Sequence, residues 1–305
     1  MVRVIISQLP FRQFRVLLAG PGLTIRLGPF NLHIQTRLRQ LVDQLYFLFA
    51  NHAVVEDEIA EIHMQIVARR FLRQPFSLSA QCLLDGQSLL PAVRAEHALD
   101  LLERCIRLAV IARTNHLLIF RAAAVERNGH VLLLAGRMDS ENKTLCAALM
   151  HRGYRLLSDR LGMLDPRSGE FIPIPTALSF SSDSIPVISE HFPDVDTASS
   201  VIESCGGTMV HVAPPRESVE RAADTAKAQW IVFPEWSATE TSQLERATES
   251  EAFFRLAGSA YNYEMLGAEG FAAVAELVAT CRSYRLVCSA LEDALTVLGE
   301  LTDGN

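Results

Sequence analysis

Arg121-Ala-Ala-Ala-Val-Glu126 leads through Arg127-Asn128-Gly129 into His130-Val-Leu-Leu-Leu-Ala135-Gly136-Arg-Met-Asp-Ser-Glu141-Asn142-Lys143-Thr144-Leu145, then on through Cys146-Ala-Ala-Leu149 and Gly153 to Leu156-Leu-Ser-Asp159. Val131 to Ala135 is an apolar run that predicts a strand, and Gly136 opens the loop after it. Leu145, Ala148 and Leu149 share one helical face, with Gly153 as the stop. Asn128-Gly129 is the dipeptide favoured in a two-residue hairpin. The unit is the strand–loop–helix in which backbone N–H groups and a helix N-terminus cradle an anion. Its loop, however, carries Asp139 and Glu141 where such a nest needs glycine and positive charge.

Around this unit the pattern is mixed α/β. Leu23 to Thr36 alternates about Gly28-Pro29 and predicts a hairpin. Leu38 to Ala50 has helical spacing, whereas Glu61 to Val67 and Ser77 to Leu84 read as strands. A smaller N-terminal α/β domain over 1–93 and a second domain over 94–305 follow, with the boundary near Pro91. In the second domain Ala95 to Ala112 is an amphipathic helix. Tyr154 to Leu157, Leu161 to Leu164, Thr208 to Val212 and Trp230 to Phe233 read as strands. Glu251 to Tyr261 and Glu269 to Cys281 read as helices, and Ser289 with Glu292 predicts a capping box on the last one. Residues 176 to 207 are rich in Ser, Asp, Pro and Gly with little periodicity, as in a functional loop.

Composition narrows the classes. The 305 residues are 49% hydrophobic and 21% charged with a formal net charge of -7, which gives no footprint for nucleic acid. Among 28 basic residues only Lys143 and Lys227 are lysines. Six cysteines lack CxxC spacing and read as buried reduced thiols. No 18-residue apolar span and no signal-peptide pattern occurs, so a cytoplasmic location and no membrane span are expected.

The order of these pieces resembles the HPr serine kinase-related family, closest to the HprK-related kinase A group. The resemblance rests on Ala122-Ala-Ala-Val-Glu126, Thr144-Leu-Cys-Ala-Ala-Leu149, Leu156-Leu-Ser-Asp159, Val210-His211 before Pro214-Pro215, Trp230-Ile-Val-Phe-Pro234 and Ala260-Tyr-Asn262-Tyr263. It implies a P-loop, HPr kinase-like C-terminal domain and an ATP- and Mg²⁺-dependent phosphotransferase acting on serine in a small protein or peptide. The chain departs from that family at the catalytic positions. Gly-Lys-Ser before Thr144 becomes Glu141-Asn142-Lys143, and the inner glycine becomes Asp139. Arg121 stands for a histidine, Arg160 for an acidic residue, and Ser181 (in Ser179-Phe-Ser-Ser182) and Gly206 for two lysines.

Gly136, Asn142, Lys143 and Thr144 are therefore the remains of a nucleotide loop, a degenerate Walker A. Asp159 is the retained carboxylate, either for metal or base or as a turn cap, and Arg121 and Arg160 are arginines at former catalytic positions. The expected function is a pseudokinase or peptide-binding scaffold with no bound cofactor and no metal site. The alternative is a serine kinase with a rearranged loop using Lys143, Thr144 and Asp159 with ATP and Mg²⁺. An oligomerisation module is a third option. Further expectations are that Asp139 and Glu141 turn toward Arg121, Arg137 or Arg160, that Arg121 and Arg160 pair with Asp139, Glu141 or Asp159, and that 176–207 and 260–263 line a peptide groove. His211 reads as a satisfied strand histidine, Asn262 as ordering a helix end, and Phe253, Phe254, Trp230 and Trp236 as core.

Overall fold

Asn128 and Gly129 adopt φ of 54° and 83°. These left-handed values are what a two-residue hairpin turn with the right twist requires. They join β7 (Leu118–Arg127) to β8 (His130–Ala135) in antiparallel register from Ala122↔Ala135 to Arg127↔His130. The computed structural model describes residues 4–56, 58–71, 74–136, 140–181, 201–204, 209–237 and 239–304. It is a mixed α/β architecture with several sheets.

β8 pairs in parallel with β15 (Ala226–Trp236), which pairs in parallel with β17 (Arg282–Cys288). With β9 (Arg155–Ser158), β10 (Leu161–Asp165), β11 (Glu170–Ile172) and β16 (Gln243–Arg246), the main sheet runs β11-β10-β7-β8-β15-β17-β16, and β9 pairs with β7. The continuous apolar run of β8 follows from its place, because both of its faces are covered. Leu132 and Leu134 pack with Leu145, Cys146 and Leu149 of α4 (Ser140–His151) and with Leu295 and Leu298 of α8 (Leu291–Asp303). Val131, Leu133 and Ala135 point the other way, into a core shared with α6 (Glu249–Ser259) and α7 (Tyr263–Thr280).

The N-terminal residues build α1 (Phe11–Ala19), α2 (Arg39–Leu48) and a sheet of β1 (Leu23–Leu27), β2 (Phe30–Thr36), β3 (Ile62–Phe71), β4 (Gln74–Leu84), β5 (Gln87–Ser88) and β6 (Val93–Arg94). α3 (Ala98–Arg113) turns Leu99, Leu102, Ile106 and Val110 into the same core, which also takes in Ile119, Leu161 and Ile174. A third sheet orders β12 (Leu178–Ser181), β14 (Met209–Val212) and β13 (Val201–Ser204). α5 (Arg216–Glu220) precedes β15.

Several local expectations need correcting. The Ser289–Glu292 capping box does not form: Ala290 is the N-cap, and the Ser289 hydroxyl meets Ser242 at 3.2 Å. The helix expected over 95–112 starts as a 3-10 turn over Ala95–His97 before α3 proper. The helix expected from Glu269 is the longer part of α7, which a kink at Gly267 (φ 54°) divides from the turn that begins at Tyr263. Phe254 is 75% exposed rather than core, while Trp230 is fully buried. Cys82, Cys105, Cys146, Cys281 and Cys288 are buried free thiols, and Cys205 lies outside the described residues.

Candidate functional site

Four elements meet at the end of β8 where the predicted loop leaves the sheet. Gly136 has φ 133°, a conformation glycine favours, and its N–H reaches the Arg121 carbonyl at 3.4 Å. Arg137 and Asp139 lie outside the described residues, as do Gly206 and most of 176–207, whereas Ser181 ends β12. α4 resumes at Ser140, and of its first turn Glu141 is exposed, Asn142 and Thr144 are buried and Lys143 is half-buried. The Asn142 side-chain oxygen accepts the Trp236 indole N–H at 2.9 Å, which ties the helix start to the end of β15.

Asp159 follows β9 and is 3% exposed. One oxygen accepts Arg160 Nε at 2.8 Å and the other accepts the Thr176 hydroxyl at 3.3 Å. The turn that presents both residues is held by Ser158, whose Oγ accepts the N–H groups of Arg160 at 3.3 Å and Leu161 at 2.9 Å. The expected pairing of Arg160 with Asp159 is present. Arg121 is placed differently: it is exposed and lies over the Tyr261 ring, 5.2 Å from the centroid. Asn262 does not cap α7 with its side chain but accepts from Ile119 N at 3.0 Å and donates to Leu117 O at 2.7 Å, which fixes the start of β7.

The second half of the cluster comes from α3. Asp100, Glu103 and Arg107 recur at helical spacing beside the apolar stripe and look like an ordinary solvated edge in the sequence. The fold instead lays that edge against β14 and the Asp159–Arg160 turn. His211 is fully buried, with Nε2 3.1 Å from Asp100 and Nδ1 2.9 Å from Glu103. Ser179, its register partner on β12, donates to Glu103 at 2.6 Å. Burial opposes protonation of His211, but the two carboxylates outweigh it and hold the imidazolium up at about 9. Lys143 and Arg107 are pulled below their ordinary values, chiefly by burial and then by the nearby Arg160 cation. Asp159 opposes both shifts.

The sign of the His211 effect is testable. Its folded value lies above the ordinary 6.5, so its stabilising contribution is complete below that pH and is lost as pH rises through about 9. Urea unfolding between these limits is expected to show falling stability in the natural chain and a flatter course in His211→Gln. Parallel slopes in the two proteins would refute the assignment.

A cavity of about 350 Å³ is lined by Asp100, Glu103, Arg104, Arg107, Arg160 and Ser179, among others. A tighter one of about 30 Å³ beside it is bounded by Leu102, Ile106, Arg107, Asp159, Arg160 and Thr176. A larger cavity, about 670 Å³, borders His52, Pro175 and α5 and touches none of the predicted site residues. The cluster around Asp159 therefore owes its interest to charge and burial rather than to size. Among the described residues no helix is long and apolar enough to cross a membrane. No protein-family model matches the chain, and a search of curated proteins finds no match.

Proposed function

We propose that the chain is a P-loop protein of the HPr kinase-like type whose nucleotide site has been rebuilt as an internal ion-pair network, leaving a scaffold that binds a small protein or peptide. The observation that carries this reading is the state of Asp159. In phosphoryl transfer the corresponding carboxylate has to offer an oxygen to Mg²⁺ or to the nucleophile. Here each oxygen already accepts a hydrogen bond, and the arginine bound to one of them supplies the positive charge a metal would bring. The loop sequence adds to this: a carboxylate about 5 Å from a phosphate charge would cost roughly 3 kcal/mol at an effective dielectric near 20, and that sequence carries Asp139 and Glu141. The buried thiols agree with a reducing cytoplasm.

One observation favours the alternative, a serine kinase with a rearranged loop. Lys143 lies within electrostatic reach of Asp159, and Gly136 keeps a nest-compatible backbone. Phosphotransfer separates the two. Incubated with radiolabelled ATP, Mg²⁺ and a serine-containing peptide library, the natural chain is expected to transfer no more label than Lys143→Ala. Transfer that Lys143→Ala abolishes would establish the kinase and overturn the scaffold.

A further inference from the structure

Asp100 and Glu103, which line the 350 Å³ cavity, share the His211 imidazolium, and Asp159 behind it is paired with Arg160. The cations on its walls are held more loosely. Among the described residues Arg107 has no carboxylate within ion-pair distance, although Asp159 and Glu103 act on it electrostatically, and Nη2 of Arg160 is buried with no hydrogen-bond partner. Arg104 adds a third basic side chain at the rim of the same cavity. A half-buried group of like charges with an orphaned guanidinium donor is unfavourable by itself, because each cation loses hydration and repels its neighbours. The missing component is an anion.

We propose that this cavity, walled by α3 and Arg160, is a binding site for a phosphate dianion, either free or as a phosphomonoester. Two features select phosphate over a single carboxylate. Arg104 and Arg107 come from α3 and Arg160 from the β9–β10 turn, so the donors approach from different walls. A tetrahedral oxyanion offers acceptors in several directions, whereas a carboxylate is matched by one planar fork. The second negative charge is matched by Arg104 and Arg107, which both line the cavity. This assignment rests on the reading of Arg160 as a structural cation. It does not use the backbone of the 136–144 loop, and it needs neither Mg²⁺ nor nucleotide.

The test is calorimetric titration of the full chain with inorganic phosphate at constant ionic strength, without Mg²⁺ or nucleotide, alongside thermal unfolding. The natural protein is expected to bind phosphate saturably and to unfold at a higher temperature in its presence. Arg107→Gln is expected to weaken binding at least about tenfold, which is 1.4 kcal/mol. Without phosphate the same variant is expected to unfold at an equal or higher temperature, because removing Arg107 relieves repulsion. A residue serving only to pack would lower it. Arg216→Gln, remote from the cavity, should match the natural chain. A parallel titration with O-phosphoserine separates the sources: tighter binding than phosphate assigns a phosphorylated side chain, and equal or weaker binding assigns free phosphate. Absence of saturable binding to either ligand, or undiminished affinity in Arg107→Gln, overturns the site. Neither result bears on ATP binding at the loop.

Discussion

Replacing Asp159 by asparagine will cost about 3–5 kcal/mol of stability, the range for removing one partner of a buried ion pair. The substitution keeps the volume and leaves an oxygen for Thr176, so packing loss is small and the effect is electrostatic. Arg160 would lose the carboxylate that raises it against the pull of burial. Arg107 and Lys143, which Asp159 also favours, would be left facing Arg160 without it. The double variant Asp159→Asn with Arg160→Gln should recover a substantial part, because the orphaned charge goes too. A solvated catalytic carboxylate behaves otherwise: its amide variant loses activity and keeps its stability. Chemical denaturation decides, and a loss below about 0.5 kcal/mol, the usual limit for surface substitutions, would show that the pair is not structural.

Glu126→Ala is expected to be as damaging, again about 3–5 kcal/mol, for a reason outside the candidate site. Glu126 and Arg155 face each other across β7 and β9, with Nε 2.6 Å from the carboxylate and both side chains almost fully buried. The remaining Arg155 nitrogens donate to the carbonyls of Arg221 and Asp224, each at 3.0 Å, so one guanidinium fastens the chain after α5 to the sheet. Glu126 also accepts the Gly129 N–H at 2.6 Å, across the hairpin turn. Burial alone would raise the Glu126 carboxyl, but the Arg155 hydrogen bond and the Gly129 N–H bring it below the ordinary range. Its contribution is thus present at neutral pH and is lost as pH falls through the folded value. Urea unfolding of Glu126→Ala near neutrality, compared with the natural chain, measures the loss. Near-equal midpoints would show that the clip is dispensable.

What the sequence made legible is what short-range physics decides. The strand before Gly136, the helix that ends at His151 ahead of Gly153, and the Asn128-Gly129 turn depend on neighbours a few residues apart, and each is where the pattern placed it. The pairing of Arg160 with Asp159 was legible for the same reason. The α3 wall was not. His211 meets Glu103 across 108 positions of sequence, and nothing in the Asp100–Arg107 edge distinguishes a solvated stripe from one that a later sheet covers. Asn262 misled for the same reason, since its partners lie 143 and 145 residues away on the segment that enters β7. Ser289 had the spacing of a cap, but its hydroxyl goes to Ser242 on the approach to β16, a competitor that spacing does not reveal.

The central claim is that a neutralised Asp159 and an acidic loop have removed the nucleotide from this fold. Calorimetric titration of the full chain with ATP, with and without Mg²⁺, measures it most directly. The account predicts no Mg²⁺-dependent binding tighter than about 0.1 mM, or roughly 5.5 kcal/mol. A tighter dissociation constant that requires Mg²⁺ and is lost in Lys143→Ala would contradict it.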